Sequence, residues 1–221
     1  MDWSPILITF KLALITTLAL FIVGVPLAYW LSTGRFRFKP AMEALVTMPL
    51  VLPPSVLGFY LLVAFGPKYF FGNFLNEYLN INLLFTFEGL VVASMIYSLP
   101  FMVQPIQSAL ENLPSSLKES SKLLGKSHYV TLTKVLLPNI KTSILTSIVL
   151  TFTHTVGEFG VVLMIGGSIP GETKLASIAI YEEVEALNYE AAHVYSLILF
   201  AISFTILVLV YSINKRAIKV I

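Results

Sequence analysis

The chain alternates long apolar runs with short polar interruptions, and the runs have the length of a bilayer crossing. A segment inside lipid must satisfy its backbone groups internally, which calls for a helix of about 20 apolar residues. The runs that qualify are Ile6 to Leu31, Met42 to Phe65, Phe87 to Leu110, Ile140 to Ile165 and Val194 to Ile213. They predict an all-α integral membrane protein of five transmembrane helices, forming a single transmembrane domain over residues 1–221. Two polar stretches stand out between them, 114–138 and 166–193.

Composition agrees with lipid as the main solvent. Hydrophobic residues make up 57% of the 221 positions and charged residues only 12%, against about 25% charged in soluble domains. Cysteine is absent, which excludes disulfides, thiolate metal sites and a cysteine nucleophile. His128, His154 and His193 are too scattered to predict a metal site, and no cofactor is expected on this chain. The first apolar run is too long for a signal-peptide core and lacks a basic start, so it is expected to persist in the mature protein.

Placing the charges gives a direction. Cytoplasmic loops retain Lys and Arg. Arg35, Arg37 and Lys39 follow the first run; Lys118, Lys122, Lys126, Lys134 and Lys141 lie between the third and fourth; Lys215, Arg216 and Lys219 follow the fifth. The opposite side keeps Lys68, Lys174 and Lys11, the last placed to snorkel from the outer end of the first run. Glu77, Glu172, Glu182, Glu183, Glu185 and Glu190 also fall in the outer loops. The expected topology has the amino terminus outside and the carboxyl terminus in the cytoplasm.

The cytoplasmic stretch contains Gly125-Lys126-Ser127, the tail of a phosphate-binding loop. Such a loop needs a glycine at position 120 and a preceding strand; Ser120 and the sequence NLPSSLKES supply neither. The local signals predict two short helices instead. Ser116-Leu117-Lys118-Glu119 has the form of a capping box, with Glu119 reaching back to a free amide. A helix is expected from Leu117 to Leu124, with Gly125 at its carboxyl cap. Ser127 caps a second helix toward Leu137, checked by Pro138. Leu117, Ser120, Ser121 and Leu124 share one face of the first; Tyr129, Leu132, Thr133 and Leu136 continue the stripe on the second. Such short helices are marginal alone in water. Either a partner's groove grips them, or they lie on the membrane with their lysines on anionic headgroups.

Glu119, two small residues, three others, Gly125, nine others and Val135-Leu136-Leu137-Pro138 together resemble the EAA loop of ABC importer permeases. Ser120 and Ser121 stand for its two alanines and Val135 for its isoleucine. The resemblance implies a type I ABC importer permease fold whose coupling helix docks on a separate ATP-hydrolysing subunit. Leu117, Glu119, Ser120, Ser121, Lys122, Leu124, Gly125, Lys126, His128 and Tyr129 would form the docking surface.

PLVLPPSVLG (Pro49 to Gly58), GEFG (Gly157 to Gly160) and IPGET (Ile169 to Thr173) further resemble the permease subunit of molybdate importers, with sulfate/thiosulfate permeases as relatives. The implied function is import of molybdate, and of tungstate, across the cytoplasmic (inner) membrane. A homodimer would work with two ATP-binding subunits and an extracytoplasmic molybdate-binding protein, and the chain itself would be neither an enzyme nor a nucleic-acid binder.

These stretches also have a direct physical content. Pro49, Pro53 and Pro54 remove ladder hydrogen bonds inside the second run. An outer half-helix starting near Ser55 would then present its free amides to a transiting oxyanion, or the prolines serve a packing kink. Ser143, Ser147, Thr151 and Thr155 form a hydroxyl stripe at four-residue steps, either lining a path or allowing close helix packing. Glu158 is an ionisable residue inside the membrane, a functional signal, yet it would repel an anion. A structural or gating role is expected instead, with Glu158 bonded to backbone groups, Gly157 and Gly160 allowing close approach, and His154 able to pair with it.

Other classes fit less well. An ion-coupled secondary carrier would call for inverted repeats and midplane charges. A membrane glutamate protease built on Glu182 and Glu183 would need an arginine where Leu187 stands.

Overall fold

The computed structural model describes residues 2–34 and 36–218; Arg35 and Lys219 of the charge pattern lie outside the described residues. The described residues form helices and turns only. Helix α1 (Ser4–Thr33) starts with Pro5 in its first turn and absorbs Pro26 without breaking. Its hydroxyls are satisfied locally, Thr9 donating to the Pro5 carbonyl (2.7 Å) and Thr17 to that of Ala13 (2.6 Å). Helix α2 (Lys39–Val51) is separated from α3 (Pro54–Phe65) by Leu52 and Pro53, and α4 (Phe70–Leu79) follows. Helix α5 (Phe87–Glu111) opens on Thr86, whose hydroxyl accepts from the Gly89 amide at 3.2 Å.

The polar stretch folds as α6 (Ser115–Leu123), α7 (His128–Thr131), a π-helical turn (Leu132–Leu136) and α8 (Leu137–Asn139). It leads into α9 (Lys141–Val156) and α10 (Gly160–Gly166), then α11 (Ala176–Glu185) and α12 (Tyr189–Ile218).

One apolar core joins α1 and α5 to the inner part of the chain, with Leu20, Leu31, Met102, Ile106, Leu136 and Ile140 buried together. Gly24 allows the α1–α5 approach, since a Cβ there would stand 2.8 Å from Met102 Cγ. A second core sets Leu57, Leu61 and Phe65 of α3 against Val161 and Ile165 of α10. Helix α12 contributes little to either and leaves Leu197, Phe200, Phe204 and Leu209 exposed.

Among the described residues, Ser4–Thr33, Phe87–Glu111 and Tyr189–Val210 are long and apolar enough to cross a membrane unbroken. Two further pairs reach that length only across a bend: α2 with α3 at 113°, and His128–Asn139 with α9 at 83°. The proline-rich run breaks where expected, but Pro49 sits inside α2 and Pro53 alone marks the gap before Pro54 opens α3. The fourth apolar run is not one helix. It stops at Val156 and restarts at Gly160, with Gly157, entropically unfavourable inside a helix, as the cap of the first piece.

Candidate functional site

The two breaks lie side by side. A Cβ on Gly160 would stand 2.9 Å from Pro54 Cβ, and one on Gly58 would meet Met164 at 3.0 Å. Helices α3 and α10 therefore touch nearly backbone to backbone, which only glycine permits at these points. At this junction opens a cavity of about 580 Å³, lined among others by Pro54, Ser55, Tyr97, His154, Glu158 and Gly160. Ser55, exposed in the first turn of α3, places a hydroxyl and helix-terminal amides at the cavity wall.

Glu158 is only 3% exposed. Its Oε2 accepts a hydrogen bond from the Ser94 hydroxyl at 2.8 Å, while Oε1 has no partner. Its backbone carbonyl accepts from the Ser177 hydroxyl at 2.6 Å, tying the break to α11.

Two expectations for this residue are corrected. The carboxyl holds a side-chain hydroxyl, not backbone groups, and it does not pair with His154. The four-residue spacing puts 154 and 158 on one face only while a helix continues, and α9 ends at Val156. His154 instead meets the Ser98 hydroxyl through Nδ1 (3.0 Å) and lies against the rings of Tyr97 and Phe101, with centroids 4.7 and 4.1 Å away. Gly160 makes the tight approach foreseen for it, whereas Gly157 has nothing nearer than 3.7 Å to a Cβ.

The hydroxyl stripe is turned into the protein. Ser147, Thr151 and Thr155 have no exposed surface, and Ser143 is half-buried. Ser147 donates to the Ser143 carbonyl (2.9 Å) and Thr155 to that of Thr151 (2.9 Å). Thr155 also meets Ser98 of α5 at 3.1 Å. From α9 the cavity takes Thr153 and His154, not the stripe. Small hydroxyl side chains thus set the α5–α9 packing distance here.

Sequence reasoning does not single out Ser94 and Ser98. The signal they carry is their four-residue spacing on α5, which places both on one face toward α9 and Glu158.

The 114–138 stretch folds as two short helices locked together. Helix α6 begins at Ser115, capped by Pro114 without a side-chain bond, so the expected capping box is not made. The helix starts two residues too early for Ser116 to serve as cap. Its other end matches the sequence closely: Gly125 has φ +67°, its amide donates to the Lys122 carbonyl (3.0 Å) and that of Lys126 to Ser121 (3.1 Å). This is a Schellman closure, which requires a left-handed residue at that point. Ser127 caps α7 as expected, accepting from the Val130 amide at 3.3 Å.

The expected stripe divides between two surroundings. Ser121 is buried and bonded to Thr131 at 2.7 Å, hydroxyl to hydroxyl, and Leu117 is half-buried. Outward stand Glu119 and Ser120, with Leu123 at 89% exposure, Leu124 at 73% and Tyr129 at 75%. Leu123 escapes the sequence pattern because it lies off the face drawn from Leu117. Lys122, Lys126 and His128 turn toward α1, where they line a second cavity with Tyr29 and Thr33.

In the 166–193 stretch, Pro170 and Gly171 (φ +78°) form a turn closed by the Glu172 amide on the Ile169 carbonyl at 3.2 Å. That is the arrangement a Pro-Gly pair is built for. Buried Thr173 fastens the loop, donating to the Gly166 carbonyl (2.6 Å) and accepting from the Ile169 amide (3.1 Å). Glu182 is gripped by Lys174 and Ser168. Burial works against its charge, but these hydrogen bonds outweigh it and hold the carboxyl below its ordinary range. Lys11, two turns into α1, sits 4.4 Å above the Phe87 ring centroid.

Known proteins share this architecture. A family model described as "Binding-protein-dependent transport system inner membrane component" matches residues 21–219. The molybdenum transport system permease protein ModB of Azotobacter vinelandii is 46% identical over 212 residues, covering 96% of this chain and 93% of its own. The sulfate transport system permease protein CysT of Salmonella typhimurium is 32% identical over 193 residues, 87% of this chain and 68% of its own. A bacterial ABC transporter involved in import of the acidic polysaccharide alginate superposes with a TM-score of 0.79 at 16% identity, covering 96% of this chain and 78% of that one. With a family match through nearly all of its length and an importer fold, the chain belongs to the inner-membrane components of binding-protein-dependent transport systems, as a multi-pass ABC importer permease.

Proposed function

We propose that the chain is the translocating subunit of a molybdate importer, carrying the oxyanion by alternating access while a separate cytoplasmic subunit hydrolyses ATP. The 46% identity with a molybdenum permease across 96% of the chain carries the substrate assignment. Two copies of the chain enclose the path, each docking one ATPase through the outward face of α6 and α7. An extracytoplasmic binding protein delivers the anion to the side bearing the Pro170–Gly171 turn and α11.

Five crossings follow if α2–α3 and α9–α10 each count as one broken span beside α1, α5 and α12. The lysines of 118–141 then face the cytoplasm with the carboxyl terminus, and the amino terminus lies outside. The cavity between the breaks, with Ser55 on its wall, is the place where an oxyanion would pass. The chain itself catalyses nothing and binds no cofactor.

The 32% identity with a sulfate permease supports a second reading, sulfate or thiosulfate import on the same fold. The deciding measurement is ATPase stimulation of the reconstituted complex by its binding protein loaded with molybdate, tungstate or sulfate. Molybdate is expected to stimulate; a response to sulfate-loaded protein alone would overturn the assignment. The chain's selectivity for tungstate is read in the same assay.

Glu158 is expected to position the break through Ser94. Glu158→Gln keeps an oxygen for the Ser94 hydroxyl and should retain assembly and uptake. Glu158→Leu removes the acceptor, leaves that hydroxyl unsatisfied and should cost about 1–3 kcal/mol of stability, read as a lower unfolding temperature. An assembled but transport-dead Glu158→Gln would refute positioning and make the acid group itself part of the gate.

A further inference from the structure

The cavity beneath α1 has a charge pattern that the transport cycle does not explain. It measures about 430 Å³ and is lined by Tyr29 and Thr33 of α1 and by Lys118, Lys122, Lys126, His128 and Thr131 of the cytoplasmic loop. Lys118 and Lys122 stand one turn apart on α6, an arrangement of like charges that destabilises a helix, and Lys126 follows just past the Gly125 terminator. Among the described residues, Lys39 and Lys174 hold carboxylates within salt-bridge distance, but none of these three does. No carboxylate lines the cavity. Glu111 interacts with Lys118 only through space and is itself bonded to Lys39.

The polar groups of the remaining wall are largely spoken for. Thr131 bonds Ser121 and the Ser127 carbonyl, and Thr33 donates to the Tyr29 carbonyl. Tyr29 Oη lies 3.5 Å from His128 Nδ1, linking α1 to the loop across the cavity. What is left facing the space is ammonium charge.

The depth of the cavity identifies what it meets. At 30 residues, α1 is about 45 Å long, more than the roughly 30 Å hydrocarbon layer. Its last turns therefore reach the headgroups. Trp30, stacked on Phe36 at 4.6 Å, and Tyr29 form the aromatic belt found at that level. A basic cavity beside a spanning helix at headgroup height is suited to a phosphate carried by lipid.

We propose that this cavity binds the phosphate headgroup of an anionic phospholipid, with Lys118, Lys122 and Lys126 as its cationic wall. The lipid fills the space between α1 and the coupling loop and neutralises the lysine row. The proposal rests on the importer reading only for the leaflet, which would be the cytoplasmic one.

The test uses the purified permease–ATPase complex in nanodiscs of phosphatidylcholine containing phosphatidylglycerol or cardiolipin, with retained lipid counted by native mass spectrometry. The triple variant Lys118→Gln, Lys122→Gln, Lys126→Gln is expected to lose the retained anionic lipid, on the order of fivefold in affinity per lysine removed. Lys134→Gln, an exposed lysine on the same loop that does not line the cavity, should retain it. Unchanged retention in the triple variant overturns the proposal. So does displacement of the lipid by millimolar inorganic phosphate, which would make the site one for free anions. Loss of the ATPase subunit with lipid retention intact assigns the lysines to that partner and also overturns it. Labelling of Ser127→Cys in intact cells, possible in a chain without cysteine, tests the leaflet separately. Labelling from outside would sink the topology and leave the lipid result standing.

Discussion

Gly89→Ala is expected to remove most folded protein, despite adding one methyl group in a chain that is 57% hydrophobic. The new Cβ would overlap the Leu83 carbonyl oxygen and stand 2.7 Å from its carbon. Those are backbone atoms, so no side chain can rotate away, and the loop entering α5 must move. That loop is fixed at its other side by the Phe85 amide, which donates to the Ile165 carbonyl of α10 at 2.8 Å. Shifting it therefore disturbs α10 and, through Gly160, the Pro54 contact at the cavity. The cost should reach about 3 kcal/mol, the upper range for overpacking. Monodisperse yield and the unfolding midpoint in detergent are the readouts, with Gly157→Ala as comparison, since 157 has ordinary room for a Cβ. Equal stability of the two variants would contradict the packing described here.

The second large effect is expected at Gly125, for a different physical reason. Nothing lies within 4 Å of a Cβ there, so no neighbour objects to a side chain; the backbone does. At φ +67° a non-glycine residue costs about 1–2 kcal/mol, and a β-branched one sits at the unfavourable end. Gly125→Val should open the Schellman closure and weaken association with the ATPase subunit roughly tenfold, measured by co-purification at graded salt. Gly125→Asn, which tolerates left-handed geometry, should fall much closer to the parent. If valine and asparagine behave alike, conformation at 125 is not what holds the loop in its docking shape. A permease that transports alone in liposomes under an ion gradient would remove the need for docking altogether.

Features governed by neighbours in sequence are legible in the sequence itself. Ser127 as a cap and Gly125 as a terminator each depend on a few adjacent residues, and each forms as expected; the Pro-Gly turn at 170–171 is equally local. The proline-rich break is legible for the same reason, although not which proline acts: Pro49 stays within α2, where neighbouring segments meet the groups it frees.

Features decided by distant contacts are not legible in this way. The break at Gly157 falls within an apolar run where α10 turns to pack on α3, and a lone glycine among residues 140–165 does not by itself announce that turn. His154 and Glu158 look paired because their spacing is helical, yet the helix ends between them. The capping box is lost by two residues, with Pro114 taking the role expected of Ser116. The lysine-lined cavity joins residues that are 99 positions apart in the chain at Tyr29 and His128, so periodicity within the loop shows the lysines but not what they face.

The bond between Ser121 and Thr131 has a mechanical meaning. It fastens α6 to α7, and the chain runs on through the π-helical turn and α8 to meet α9 at 83°. Leu136 and Ile140, at the elbow, are anchored in the main core. A stiff bent rod pivoting at its elbow does not absorb a sideways push at its tip; it converts the push into torque on the other arm. Displacement of Leu123 and Leu124 at the tip is thereby geared to rotation of α9, whose far end is Gly157. The seam between the two helix breaks is where that rotation is delivered.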